Sequence, residues 1–91
     1  MFTGIVEEIG VVLSEDPSGG NLRLSVSASP AFVAGLALGD SVAMSGCCLT
    51  VVAIDAAARQ PAFDVELSGE TISKTAPRWR EGQRLNLERA L

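Results

Sequence analysis

Residues 21–28 read NLRLSVSA, with Leu22, Leu24 and Val26 alternating against Arg23, Ser25 and Ser27. Successive side chains of an extended chain point to opposite faces, so this is the period of a strand with one face in a core and the other in water. Just before it, Asp16-Pro17-Ser18-Gly19-Gly20 gathers residues that favour a turn, because Pro presets φ and Gly accepts φ of either sign. Upstream of that turn, residues 2–13 read as a long first strand broken by glycines, which predicts a hairpin of the first two strands.

Downstream, Ser29-Pro30 has the form of a helix start, with Ser29 as cap and Pro30 in the first turn. Residues 31–36 supply a short helix ending near Gly35 or Gly39, and the next strand begins at Gly39-Asp40. DSVAMSG and CCLTVVAID are β-prone and meet at Gly46, and AFDVELS alternates Phe63, Val65 and Leu67 against Asp64, Glu66 and Ser68. A second helical turn is expected at residues 70–75, and RLNLERAL at residues 84–91 alternates once more. Six short strands and one or two short helices predict an all-β antiparallel barrel, since closure removes the edges a small sheet exposes.

Composition bounds what such a barrel does. Ninety-one residues suit one domain, and 47% apolar with 20% charged residues describe a soluble globular chain without a block able to span a membrane. Eleven acidic against seven basic residues, a formal charge of −4, repel nucleic acid and anionic lipid. Tyr is absent and the three Phe and one Trp are scattered, so no row of stacking aromatics is available for single strands. The start lacks the basic and long apolar blocks of a signal peptide, which points to the cytoplasm. At the other end, Leu91 closes a strand pattern without a polar tail, as in a domain cut from a longer polypeptide.

With no His and no CxxC spacing, no metal site is expected. The cysteines, Cys47 and Cys48, are adjacent. Their Cα atoms are about 3.8 Å apart across a trans peptide, below the roughly 4.4–6.8 Å of a relaxed disulfide, so they read as free thiols, one facing the core and one outward. Gly4, set between Thr3 and Ile5 in the opening MFTGIVEEIG, raises a different question. A glycine inside a strand pattern marks either a bulge or a place where another group approaches the backbone.

MFTGIVEEIG at residues 1–10, GDSVAMSGCCLTV at 39–51 and ETISKTAPRWREGQRLNLERAL at 70–91 together resemble the amino-terminal half of the riboflavin synthases, the lumazine-binding barrels. The resemblance covers nearly the whole chain, with the blocks in family order. It implies a six-stranded antiparallel Greek-key barrel that binds 6,7-dimethyl-8-ribityllumazine or riboflavin, residues 1–91 being the first of two tandem barrels. Complete family members transfer a four-carbon unit between two lumazines, giving riboflavin and a pyrimidinedione without metal or organic cofactor. Their site forms between the first barrel of one subunit and the second barrel of another.

Carried onto this chain, the family's ligand contacts fall on Gly4, Ile5 and Val6 with Phe2 and Thr3 beside them, on Cys48, Leu49 and Thr50, and on Glu66, Leu67, Ser68, Gly69, Glu70 and Thr71. Gly4 then lets the backbone meet the heterocycle. Ser41, Thr50 and Thr71 offer hydroxyls to a ribityl chain, although each also fits an ordinary strand or turn hydroxyl. Cys48 is a ligand contact and the candidate for a catalytic group, because the reaction removes a proton from a methyl group on the pterin and the chain has no His. Alternation puts Glu66 on the solvent face, and the family contacts of its stretch are main-chain ones. Ser45 stands where the family commonly has Asn, Met44 where it has a small aliphatic residue, and Gly69 where Pro is frequent.

Two functions compete: half of a riboflavin synthase, inactive or very weak alone, and a stand-alone flavin- or lumazine-binding protein without turnover. A barrel evolved to face a partner barrel leaves an apolar surface, so a homodimer is expected of the isolated domain.

Overall fold

The computed structural model describes residues 2, 4–57, 59–71 and 79–90. Among the described residues the strands β1 (Glu8–Ser18), β2 (Asn21–Ser27), β3 (Ser41–Met44), β4 (Cys47–Asp55), β5 (Ala62–Leu67) and β6 (Arg84–Arg89) follow in chain order, with the helix α1 (Pro30–Ala34) between β2 and β3. The strands close into a barrel in the order β1-β2-β5-β4-β3-β6, every pair antiparallel. β3, β4 and β5 form a meander, while β2 lies beside β5 and β6 beside β3, which makes the topology a Greek key.

Each strand turns its apolar set inward. Val12, Leu24, Val42, Val51, Val65 and Leu87, one from each strand, are at most 1% exposed. The alternation read in residues 21–28 is realised in β2, where Leu22, Leu24 and Val26 are buried and pair with Leu67, Val65 and Phe63 of β5. Ser29 caps α1 by accepting from the Phe32 amide at 3.2 Å, Pro30 opens the helix and Gly35 closes it. The helix adds Phe32 and Val33 to the core, with the Phe32 and Phe63 rings 6.1 Å apart.

The first strand differs from the expectation. It begins at Glu8 rather than residue 2 and runs through Asp16 and Pro17 to Ser18, leaving a turn of only Gly19-Gly20. Both glycines have positive φ, 57° and 85°, and a two-residue loop of that kind matches the twist of the flanking strands, so pairing extends to Ser18 opposite Asn21. The second helical turn begins at residues 69–71, where Ser68 Oγ accepts from the Thr71 amide at 3.3 Å; the rest of that expectation falls outside the described residues.

Register shifts between Val12 and Ser14 in β1 and between Val51 and Ala53 in β4 bend those strands around the barrel. Val52, 42% exposed, continues the outward set of Cys48 and Thr50 in β4. Cys47 is half-buried against the core and Cys48 is exposed, both free. Among the described residues no helix is long and apolar enough to cross a membrane.

Candidate functional site

Gly4 precedes β1 and is no strand bulge. Its φ is +81°, and a Cβ there would meet nothing within 4 Å, so the glycine serves backbone conformation rather than close packing. The turn carries the segment across β6: the Gly4 amide donates to Glu88 Oε1 at 3.1 Å and the Glu7 amide to the Leu87 carbonyl at 2.8 Å. The Glu7 carboxylate then accepts from the Arg89 amide at 2.6 Å and pairs with Arg89 Nη2 at 2.9 Å. The Arg89 side-chain hydrogen bond, followed by its backbone amide, holds the Glu7 carboxyl below the usual carboxylate value, and the same bond raises the guanidinium. The Arg89 guanidinium also lies 5.3 Å from the Phe32 ring centroid. Ile5 and Val6 are left 69% and 48% exposed on the outside of the barrel.

Next to them runs the outer face of β3 and β4. Ala43 stands opposite Glu88 on one side and Cys48 on the other, and Ser41 stands opposite Thr50. With neighbouring strands about 4.8 Å apart, Glu88 and Cys48 are roughly 10 Å apart along one row. Cys48 and Thr50 are exposed and Ser41 half-buried. Val51 opposite Val65 brings β5 alongside, where Glu66 is exposed and accepts from Asn21 Nδ2 at 3.1 Å. Ser68, Gly69 and Glu70 are exposed and Thr71 half-buried, with Ser68 Oγ 3.1 Å from Thr71 Oγ1.

The singled-out residues thus fall into groups. Ile5, Val6, Ser41, Cys48, Thr50 and Glu66 display side chains on the outside of the barrel, and Phe2 is half-buried. Leu49 and Leu67, 6% and 0% exposed, point into the core, so only their backbone is available outside. Thr3 lies outside the described residues.

Two cavities flank the Gly4 segment. The larger, about 560 Å³, is lined by Ile5, Glu7, Gly35, Asp40, Ser41, Glu88, Arg89 and Ala90. The smaller, about 210 Å³, lies among Gly4, Val6, Ala43, Ser45, Gly46, Asn86, Leu87 and Glu88. Neither of these two is lined by Cys48, Thr50 or Glu66. Glu7, Asp40, Glu88 and Arg89 were not singled out from the sequence. Glu88 belongs to the polar set of β6, yet it is buried and accepts from the Gly4 amide, 84 residues away. The only local signal was a charged Glu-Arg pair at the end of an apolar strand.

Comparison with known proteins gives this arrangement its context. Riboflavin synthase of Photobacterium phosphoreum is 38% identical over 92 residues, covering all of this chain and 40% of that protein. Riboflavin synthase of Saccharomyces cerevisiae is 37% identical over 98 residues, with the same two coverages. The chain therefore spans about 40% of the length of these curated relatives. In crystal structures, LumP complexed with riboflavin has the same fold, with a TM-score of 0.85 at 23% identity over 98% of this chain and 46% of that one. LumP complexed with 6,7-dimethyl-8-(1'-D-ribityl) lumazine superposes with a TM-score of 0.84. The model of the lumazine binding domain matches residues 3–90, and with that match beside alignment of the whole of this chain to part of the riboflavin synthases, this chain belongs to the lumazine binding domain family.

Proposed function

We propose that this barrel binds 6,7-dimethyl-8-ribityllumazine and riboflavin on its outer face and is the amino-terminal half of a two-barrel, cytoplasmic riboflavin synthase. The observation that carries the reading is the family match over residues 3–90 together with 38% identity to a riboflavin synthase across the whole chain. The LumP structures, which hold riboflavin in one case and the lumazine in the other, supply the ligand class.

The exposed side chains suit that ligand. A flat heterocycle needs an apolar wall and polar edges, and here Ile5 and Val6 offer the wall while Cys48 and the backbone of Leu49 and Leu67 lie along the strands beside it. Burying a ribityl chain requires a partner for each hydroxyl, a role assigned to Ser41, Thr50 and Thr71. Phe2, Thr3 and Gly4 flank the wall, and Glu66, Ser68, Gly69 and Glu70 form the far rim.

In the complete enzyme two such ligands face each other, one from each barrel, and a four-carbon unit passes between them. Proximity and orientation carry this chemistry without metal or organic cofactor. Cys48, exposed on that face, is the residue proposed to contact the ring and to assist loss of a proton from its acidic methyl group. Because the second barrel is the other wall, the isolated domain is proposed to pair with itself and to bind without appreciable turnover.

Titration with riboflavin and with the lumazine, followed by ligand fluorescence, tests binding; saturable quenching or a spectral shift is expected, and none at high micromolar concentration overturns the reading. Riboflavin formation is then measured for this domain and for a two-barrel protein side by side. Comparable turnover by the single barrel would refute the division of labour.

A further inference from the structure

We infer that Glu88 is the positioning residue of the ligand face: its carboxylate holds the Gly4 amide, and through it the Ile5 and Val6 wall, against the barrel. The inference rests on the lumazine and riboflavin reading above. Glu88 shares the outward set of β6 with Arg84 and Asn86, which are exposed, yet it is only 7% exposed and is the single buried charged residue among the described ones. The cover is the N-terminal segment itself, with the Gly4 amide 3.1 Å from Glu88 Oε1. A carboxylate is costly to bury unless donors reach it, and an N–H bound to an ionised acceptor makes one of the stronger hydrogen bonds. The segment shields the carboxylate, and the carboxylate holds the segment.

Position makes this anchor relevant to a ligand. Glu88 borders both cavities, one on each side of the Gly4 segment, and shares a row of the sheet with Ala43 and Cys48. Gly4 at φ +81° reaches the carboxylate through its backbone alone, leaving Ile5 and Val6 displayed beside that row. Without the anchor the wall has to be ordered when the ligand arrives, and that ordering weakens binding. The Glu7–Arg89 pair holds the segment further along but does not set the conformation at Gly4.

Riboflavin is titrated into wild type, Glu88→Gln and Glu88→Ala, and amide exchange at Gly4 and Leu87 is measured by NMR without ligand. Wild type is expected to show Gly4 protected at least tenfold over a free amide. Glu88→Gln, whose side-chain oxygen still accepts, should keep most of this protection and bind within about threefold of wild type. Glu88→Ala should lose Gly4 protection while Leu87 stays protected, and should bind riboflavin at least tenfold more weakly. An unprotected Gly4 in wild type, equal affinity in Glu88→Ala, or a Glu88→Gln protein as weak as Glu88→Ala each overturns the inference. If wild type fails to bind riboflavin, the functional reading falls, and Gly4 exchange in the two variants still decides the anchor.

Discussion

Arg89 Nη2 lies 2.9 Å from Glu7 Oε2, joining the strand that closes the barrel to a residue 82 positions earlier in the chain. The Glu7 carboxyl is held below its ordinary value of 4.5, first by the Arg89 side chain and then by the Arg89 amide. A carboxyl depressed in the folded state contributes stability that is complete above its unfolded value and fades as pH falls through the folded one. The pair therefore acts fully at neutral pH and is lost progressively below about pH 4.5.

Glu7→Gln measures this contribution. The two side chains are 33% and 39% exposed, so solvent screens the pair and the variant should lose less than about 1 kcal/mol at pH 7. Urea unfolding should show a gap between wild type and variant at pH 7 that shrinks as pH falls below 4.5 and narrows in high salt. A gap that stays the same size as pH falls to 2 would contradict the assignment.

Gly10 and Gly4 should respond to alanine for opposite reasons. A Cβ on Gly10 would lie 2.6 Å from Leu87 Cδ1 and 2.9 Å from Val26 Cγ1, inside the contact of β1 with β6 and β2. Gly10→Ala is expected to cost about 1–3 kcal/mol by overpacking. Gly4→Ala meets no atom but must hold φ +81°, which costs about 1–2 kcal/mol in the local conformation. Global unfolding should report the first, and release of the Gly4 segment in amide exchange the second.

Ser45 is the one non-glycine residue with positive φ among those described, at 48°, and with Gly46 at 87° it forms the two-residue turn between Met44 and Cys47. Such turns favour Asn-Gly, because Asn tolerates the left-handed region better than Ser. Ser45→Asn should stabilise the barrel by about 0.5 kcal/mol. Ser45→Val should destabilise it by about 1–2 kcal/mol, since a β-branched residue is strained there and no longer accepts from the Asn86 amide. Thermal unfolding of the three proteins gives the order directly.

Thr50 and Cys48 separate polar from apolar contributions on the proposed ligand face. Thr50→Val keeps the shape and removes the hydroxyl, and should weaken riboflavin binding by about 1–2 kcal/mol, roughly five- to thirtyfold. Cys48→Ser should change affinity less while altering the fluorescence of the bound ligand. Both side chains are exposed, so the melting temperature should stay within a degree or two of wild type. Equal affinity in Thr50→Val would remove Thr50 from the site.

Much of the architecture was legible in single stretches of sequence because the physics that sets it is local. The alternation of Leu22, Leu24 and Val26, the Ser29-Pro30 cap and the opposite environments of Cys47 and Cys48 depend on neighbours within a few positions. The family resemblance added the Greek-key arrangement, since periodicity alone does not order the strands. The length of β1 was misjudged because two glycines sufficed for its turn, so Asp16 and Pro17 joined the ladder opposite Arg23 and Leu22.

The candidate site was legible as a set of residues but not as an arrangement. By itself the sequence determined which faces of the strands are apolar and where the helix starts. Tertiary structure alone decided that Ser41, Cys48 and Thr50 share one outer face. It also decided that Glu88 is buried and accepts from the Gly4 amide at the far end of the chain. Strand alternation acts between adjacent residues, whereas that burial exists only once closure of the barrel has brought residues 84 positions apart within hydrogen-bonding distance.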